Sequence, residues 1–204
     1  MKKFTFLLIF FLMIQQNSFA IISNQQRLQE LSFKEFLDKF ITSFNNKNTE
    51  EINNCLNPEF GLFVLDNPGA SYIAEHFKSF DEVMNIDSDN DIGYLKKMKV
   101  ECKFTKGEIP VYNCDNDMPE GWSKEGCYYD LNKTHFISEI YKNMLTYNLG
   151  DKNTIKSEIG IAKKSEKYIT HLAYSTTGSI GFYFGLIDNS WYLICIDKIT
   201  PCSA

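Results

Sequence analysis

Residues 180–199 read IGFYFGLIDNSWYLICIDKI, two apolar runs of strand length around Asp188-Asn189. This predicts a β-hairpin, because Asp and Asn tolerate the left-handed backbone that a two-residue turn demands. With the turn as pivot, Leu186 faces Trp191, Phe184 faces Leu193 and Phe182 faces Cys195 on one side of the sheet. The other side carries Tyr183, Ile187, Tyr192, Ile194 and Ile196. A sheet with one wet face alternates apolar and polar residues, so here both faces must be covered. One can pack on helices; the second must meet another core layer, a partner subunit or a cavity. Tyr183 and Tyr192 have apolar bodies and hydroxyl tips, which makes them candidate ligand-binding residues, although a second core layer is the commoner solution.

Working upstream, Tyr168–Tyr174 is strand-like and a Ser175-Thr176-Thr177-Gly178 turn leads into the hairpin. Residues 152–163 fit a helix or a strand. Phe136, Ile137, Ile140 and Met144 share one helical face, and Gly150 ends that helix. Met98, Val100, Cys102 and Phe104 alternate with charged residues, as in a half-buried strand. Thr105-Lys106-Gly107 would fold it back onto an edge segment through Pro110. At the other end, Ser32 and Glu35 form a capping-box pair ahead of Phe33, Phe36, Leu37, Phe40, Ile41 and Phe44, a helical stripe. Thr49–Leu56 reads as a short helix stopped by Asn57-Pro58, and Gly61–Leu65 as a buried strand. A third helical region follows Asn67-Pro68-Gly69, with Ser79 and Glu82 repeating the capping-box spacing. The expected fold class is α+β: a curved antiparallel sheet on N-terminal helices, with an inserted disulfide loop and helix.

The first 20 residues predict export. Lys2 and Lys3 precede an apolar run from Phe4 to Ile14, and Ser18-Phe19-Ala20 matches a signal-peptidase site. The run is too short to span a bilayer. Residues 21–204 are then one expected domain, placed in the periplasm or secreted. Two of the 21 basic residues fall in the leader, leaving 19 against 26 acids and a charge of −7, with Arg27 the sole arginine. That balance disfavours nucleic acid as a partner.

The six cysteines all follow the leader, as expected of an oxidising compartment. Cys114 and Cys127 bracket CDNDMPEGWSKEGC, whose Pro119, Gly121 and Gly126 make it a loop unable to order itself, and we expect these two to be bonded, with Trp122 over the bridge. No C-x-x-C spacing supports a metal site. Asp87-Ser88-Asp89-Asn90-Asp91 opens like a calcium loop, but Ile92 and Met98 stand where glycine and glutamate are required, so no metal or other cofactor is expected.

The histidines are His76, His135 and His171, and no H-E-x-x-H, G-x-S-x-G or P-loop spacing occurs. His76, in the third helical region, and His171, in a strand, are candidate pocket residues, each able to pair with Asp197 or Tyr183.

With helices first and a long aromatic hairpin last, Phe36–Phe44, Gly61–Leu65 and Phe182–Ile196 resemble the cone-shaped α+β fold of the nuclear-transport-factor-two-like (SnoaL-like) superfamily, most closely in style its small exported bacterial members of unassigned function. The resemblance implies a sheet curved around a pocket and a possible homodimer. It transfers no catalytic residue, so none is assigned. The leading functional expectation is a non-enzymatic module that binds a small apolar or amphipathic ligand or a protein partner. The alternatives are a pocket enzyme, a hydrolase or isomerase using His76 or His171, and an inhibitor or immunity-type protein using the acidic loops 87–91 and 115–120.

Overall fold

The computed structural model describes residues 28–69, 71–86, 95–114, 121–131 and 136–199. The leader, the acidic loops 87–91 and 115–120, and His135 lie outside the described residues. The chain divides into two compact units after Lys39, within the first helix, α1 (residues 28–46). In the first unit α1 buries Phe33 and Leu37 and pairs Lys34 with Asp38 one turn on. The helix starts upstream of Ser32, whose hydroxyl donates to the Gln29 carbonyl at 2.8 Å instead of capping the N-terminus.

The second unit is built on a seven-stranded sheet in the order β2-β1-β9-β8-β7-β6-β3. Its strands are β1 (Leu62–Asp66), β2 (Ile73–Phe77), β3 (Thr105–Lys106), β6 (Cys127–Leu131), β7 (Ile169–Ser175), β8 (Ile180–Ile187) and β9 (Ser190–Asp197). Two short strands, β4 (Tyr112–Asn113) and β5 (Gly121–Trp122), pair separately. The large sheet is mixed where an antiparallel one was expected. β1 runs parallel to β9 and β3 parallel to β6, because neither neighbour follows the other through a hairpin.

The predicted hairpin is present. Asp188 and Asn189 take φ of 48° and 63°, and Leu186↔Trp191 and Phe184↔Leu193 pair as read from sequence. Beyond them a bulge shifts the register, so that Tyr183 faces Cys195 and Phe182 faces Ile196. Gly185 accommodates the shift: a Cβ there would stand 2.5 Å from Ile194 Cδ1.

Helices cover both sheet faces. Phe182 and Phe184 pack edge-on against Phe40 at 5.2 and 5.4 Å between ring centroids, and Phe44 joins them to Phe80. On the opposite face, Phe63, Leu65, Tyr183, Ile194 and Cys195 pack against α4 (Ile137–Thr146) and α5 (Lys152–Ser165). Residues 152–163, open in sequence, are thus helix; the Asp151 carboxylate supplies its N-cap, accepting from the Asn153 and Thr154 N–H groups. Glu166 caps α4 from a distance, its two oxygens accepting from the Ser138 N–H at 2.7 Å and the Ser138 hydroxyl at 3.0 Å.

Two further expectations are corrected. Residues 98–104 form no strand, although Val100 and Phe104 stay buried as their alternation predicts. The Val100 backbone pairs instead with the side-chain amide of Asn45 in two 2.8 Å hydrogen bonds, which leaves no ladder for a neighbouring strand. The region between Asn67-Pro68-Gly69 and Ser79 contains β2 before the short helix α3 (Phe80–Asn85), so Glu75 and His76 are strand residues, not helical ones. The other short helix, α2 (Thr49–Asn53), sits where predicted and is capped by Asn48.

The predicted Cys114–Cys127 bridge is absent. Cys127 is bonded to Cys102, with Cα atoms 5.7 Å apart, while Cys114 is in a different disulfide and Cys55 and Cys195 are buried thiols outside any disulfide. The sheet decides the pairing: Thr105 pairs with Tyr128, which brings the segment preceding β3 beside the start of β6. Trp122 lies between Tyr112, which meets it edge-on, and Tyr174, which is tilted to it, each 5.0 Å away.

Candidate functional site

A cavity of about 280 Å³ opens between β2, α4 and α5. Its apolar wall comes from Ala74, Met144, Leu149 and Ile155, and its polar groups from Glu75, His76, Tyr141, Asp151, Thr154 and Glu158. The α4–α5 turn shapes one side. There the Leu149 N–H closes the helix on the Met144 carbonyl at 2.8 Å, and Gly150 takes a φ of 111° that few other residues tolerate. Met144 also reaches β2, its sulfur accepting from the Ala74 N–H at 3.2 Å.

His76 is fixed at the cavity wall by three contacts. Its ring stacks on Phe63 at 4.5 Å. Nε2 lies 2.7 Å from the Phe60 carbonyl oxygen, and Nδ1 lies 2.6 Å from Glu158 Oε2, within ion-pair range but without the alignment of a full hydrogen bond. Each nitrogen therefore faces an oxygen acceptor. A doubly protonated imidazole donates to both, whereas a neutral one satisfies a single acceptor. Gly61 makes the arrangement possible, because at its φ of 63° a Cβ would stand 2.3 Å from the Phe77 carbonyl oxygen and 2.9 Å from His76 Nε2.

Tyr141 is 2% exposed, and its hydroxyl oxygen, cut off from water, has no hydrogen-bond partner. Burial, then the Glu158 carboxylate, push its pKa far up, so the phenol stays neutral. Glu75 is also raised, chiefly by burial and then by the Asp66 carboxylate. Asp151 is lowered by the Thr154 N–H and hydroxyl that its helix cap binds.

Of the four ligand-binding candidates read from sequence, the cavity takes His76. Tyr183 is buried in the core layer under α4, 4.9 Å from the Phe136 ring, and donates to Asp197 Oδ2 at 3.4 Å. That aspartate is pushed up to about 6, mainly by burial; Asp66 adds to the rise, while the Ile199 N–H and the Tyr183 hydroxyl oppose it. Tyr192 is half-buried on β9 opposite Gly185. His171 is buried edge-on to Trp191, with Nδ1 3.0 Å from the Thr170 hydroxyl. It pairs across the sheet with Phe184 and His76 with Phe63, residues of opposite faces, so the two imidazoles cannot converge. Sequence reading missed Tyr141, Glu75 and Glu158. Glu158 sits in the stretch left open between helix and strand; read as helix, its spacing from Ile155 and Ala162 would have put it on the buried face.

Among the described residues no cluster of His, Cys, Asp and Glu can hold a metal ion, and no helix is long and apolar enough to cross a membrane. The chain matches no known family, curated protein or solved structure.

Proposed function

We propose that the protein is an exported, non-enzymatic module that binds a small ligand, and that its site is the cavity between β2, α4 and α5. The observation that carries this reading is His76 at the cavity wall with an acceptor against each nitrogen. A general base needs a ring nitrogen facing the substrate; both nitrogens of this ring face protein oxygens instead, so it acts as a fixed polar strut. The volume lies just below that of ordinary ligand pockets, and the wall combines apolar side chains with a larger number of polar ones than such pockets usually carry. The same reading includes the curved sheet implied by the resemblance to the nuclear-transport-factor-two-like superfamily.

One observation favours a second reading, a pocket enzyme: the approach of His76 to Glu158 is that of a histidine oriented by a carboxylate. Native mass spectrometry of the protein purified from the cell that makes it separates the two. The binding reading expects an adduct on the wild type that Leu149→Trp loses, and a released ligand that returns unchanged in mass after incubation with fresh protein. Conversion to a new mass that stops in His76→Asn would establish the enzyme, and a wild type without any adduct would overturn the binding reading.

A further inference from the structure

We propose that one proton shared between His76 Nδ1 and Glu158 Oε2 latches the edge strand β2 to α5, and that its loss as pH rises releases the strand at the cavity wall; this holds whether or not the cavity takes a ligand. The Phe60 carbonyl fixes the tautomer. It lies 2.7 Å from Nε2 and can only accept, so Nε2 carries a hydrogen in both the neutral and the charged ring. A neutral ring then turns the Nδ1 lone pair toward Glu158 Oε2, which is 2.6 Å away and closed to water. With a proton on either atom the contact is attractive, an imidazolium beside a carboxylate or an imidazole beside a carboxylic acid, and the pair titrates as a unit. Once hydroxide removes that proton as water, a lone pair meets a negative charge. The ring cannot turn aside, being stacked on Phe63 and bonded to Phe60, so the carboxylate must withdraw and the contact between β2 and α5 is lost. A closed contact that binds the proton more tightly than the open one is favoured at low pH and lost as pH rises.

No other charge beside the ring takes over this role. The cavity lining holds no lysine or arginine. On α5, Asp151 is engaged at the helix cap, and on α4 the Tyr141 phenol stays neutral. On β9, opposite Phe63, burial keeps the Cys195 thiol neutral. Glu75 precedes His76 on β2 but pairs with Val64 on the opposite sheet face. The acids of α3 are engaged elsewhere, Asp81 with the Asn53 amide and Glu82 with the Lys78 N–H. β2 depends on such contacts because it ends the sheet: β1 flanks it on one side, and on α4 the Met144 sulfur accepts from the Ala74 N–H.

Amide hydrogen exchange of the full chain at pH 6 and at pH 9, where an ordinary imidazole is neutral, tests this, with rates read as protection factors to remove the intrinsic pH dependence of exchange. The β2 amides, Ala74 among them, should lose about tenfold or more in protection at pH 9, and those of β7 and β8 no more than about threefold. In Glu158→Gln the side-chain amide can donate to a neutral ring or accept from a charged one, so β2 should change no more than about threefold there too. Long-range proton–nitrogen spectra of the imidazole should show Nε2 protonated at both pH values and Nδ1 bare at pH 9. Unchanged protection of β2, a fall shared equally by β7 and β8, the same fall in folded Glu158→Gln, or a ring protonated on Nδ1 alone at pH 9 would each overturn the inference. Circular dichroism shows whether the variant folds; if it does not, the comparison of strands within the wild type and the ring spectra decide. The ligand-binding reading is judged separately by the adduct on the native protein, so the failure of one leaves the other standing.

Discussion

Asp197→Asn should stabilise the protein at neutral pH. Asp197 ends β9 on the face packed against α4, where Oδ1 accepts from the Ile199 N–H at 2.9 Å and Oδ2 from the Tyr183 hydroxyl at 3.4 Å. Two hydrogen bonds do not offset the loss of water: the carboxyl is pushed from the ordinary 3.8 to about 6. A carboxyl with a raised folded pKa binds its proton more tightly folded than unfolded. Its contribution is therefore favourable below 3.8 and is lost as pH rises through 6. At 1.36 kcal/mol for each tenfold change in proton affinity, the ionised form costs on the order of 3 kcal/mol at pH 7.5. Asparagine keeps the shape, keeps an acceptor for Ile199 and turns an N–H toward the tyrosine oxygen, so about 1–3 kcal/mol of this cost should be recovered. Urea unfolding of wild type and variant at pH 7.5 and pH 4 measures it. The variant should be the more stable at pH 7.5, and its advantage should shrink toward zero at pH 4. A variant no more stable at pH 7.5, or an advantage independent of pH, would refute the argument that burial of this charge is uncompensated.

Gly61→Ala should destabilise by about 2–4 kcal/mol, combining left-handed strain with a Cβ driven into the Phe77 carbonyl, and should remove the native adduct by displacing His76; chemical unfolding and native mass spectrometry read the two effects. Cys102→Ser should cost up to about 3.5 kcal/mol, the chain-entropy value for a loop of about 25 residues, lowered by whatever the neighbouring Cys114 disulfide already restrains, and unreduced peptide mapping should recover a fragment joining Cys102 to Cys127. Glu166→Ala should cost about 2–4 kcal/mol, because it strips the buried Ser138 N–H and hydroxyl of their acceptor at once, whereas Glu166→Gln should cost less; thermal melts of the two variants rank them.

How much was legible in the sequence follows from how local each determinant is. The hairpin at Asp188-Asn189 depends on two residues and their immediate flanks, and its register holds as far as Phe184↔Leu193. It fails one step on because the bulge answers to Gly185 and Ile194, residues on different strands whose fit is a tertiary matter. Residues 98–104 show the same limit. Their alternation reports burial correctly, but a strand also needs a partner ladder, and here the partner is the amide of Asn45, distant in sequence. The disulfide error has the same root. A loop rich in Pro and Gly with a cysteine at each end looks self-closing, yet the parallel pairing of β3 with β6 sets Cys102 beside Cys127.

The candidate site was harder to read, because its residues are brought together by an arrangement no single segment encodes. His76 was singled out as a histidine, but on a helix; on β2 it stands opposite Phe63, and only there does its ring stack on that residue and reach the carbonyl of Phe60. The doubly apolar hairpin pointed to a cavity over Tyr183, and α4 fills that position with Phe136, so Tyr183 became core and kept its hydroxyl satisfied by Asp197. The same two helices that close the sheet over the hairpin end in the turn at Leu149 and Gly150, and the cavity opens between that turn and the edge strand β2. At this edge the strand is no longer covered by a neighbour on both sides, so polar side chains can stand against apolar ones at tolerable cost.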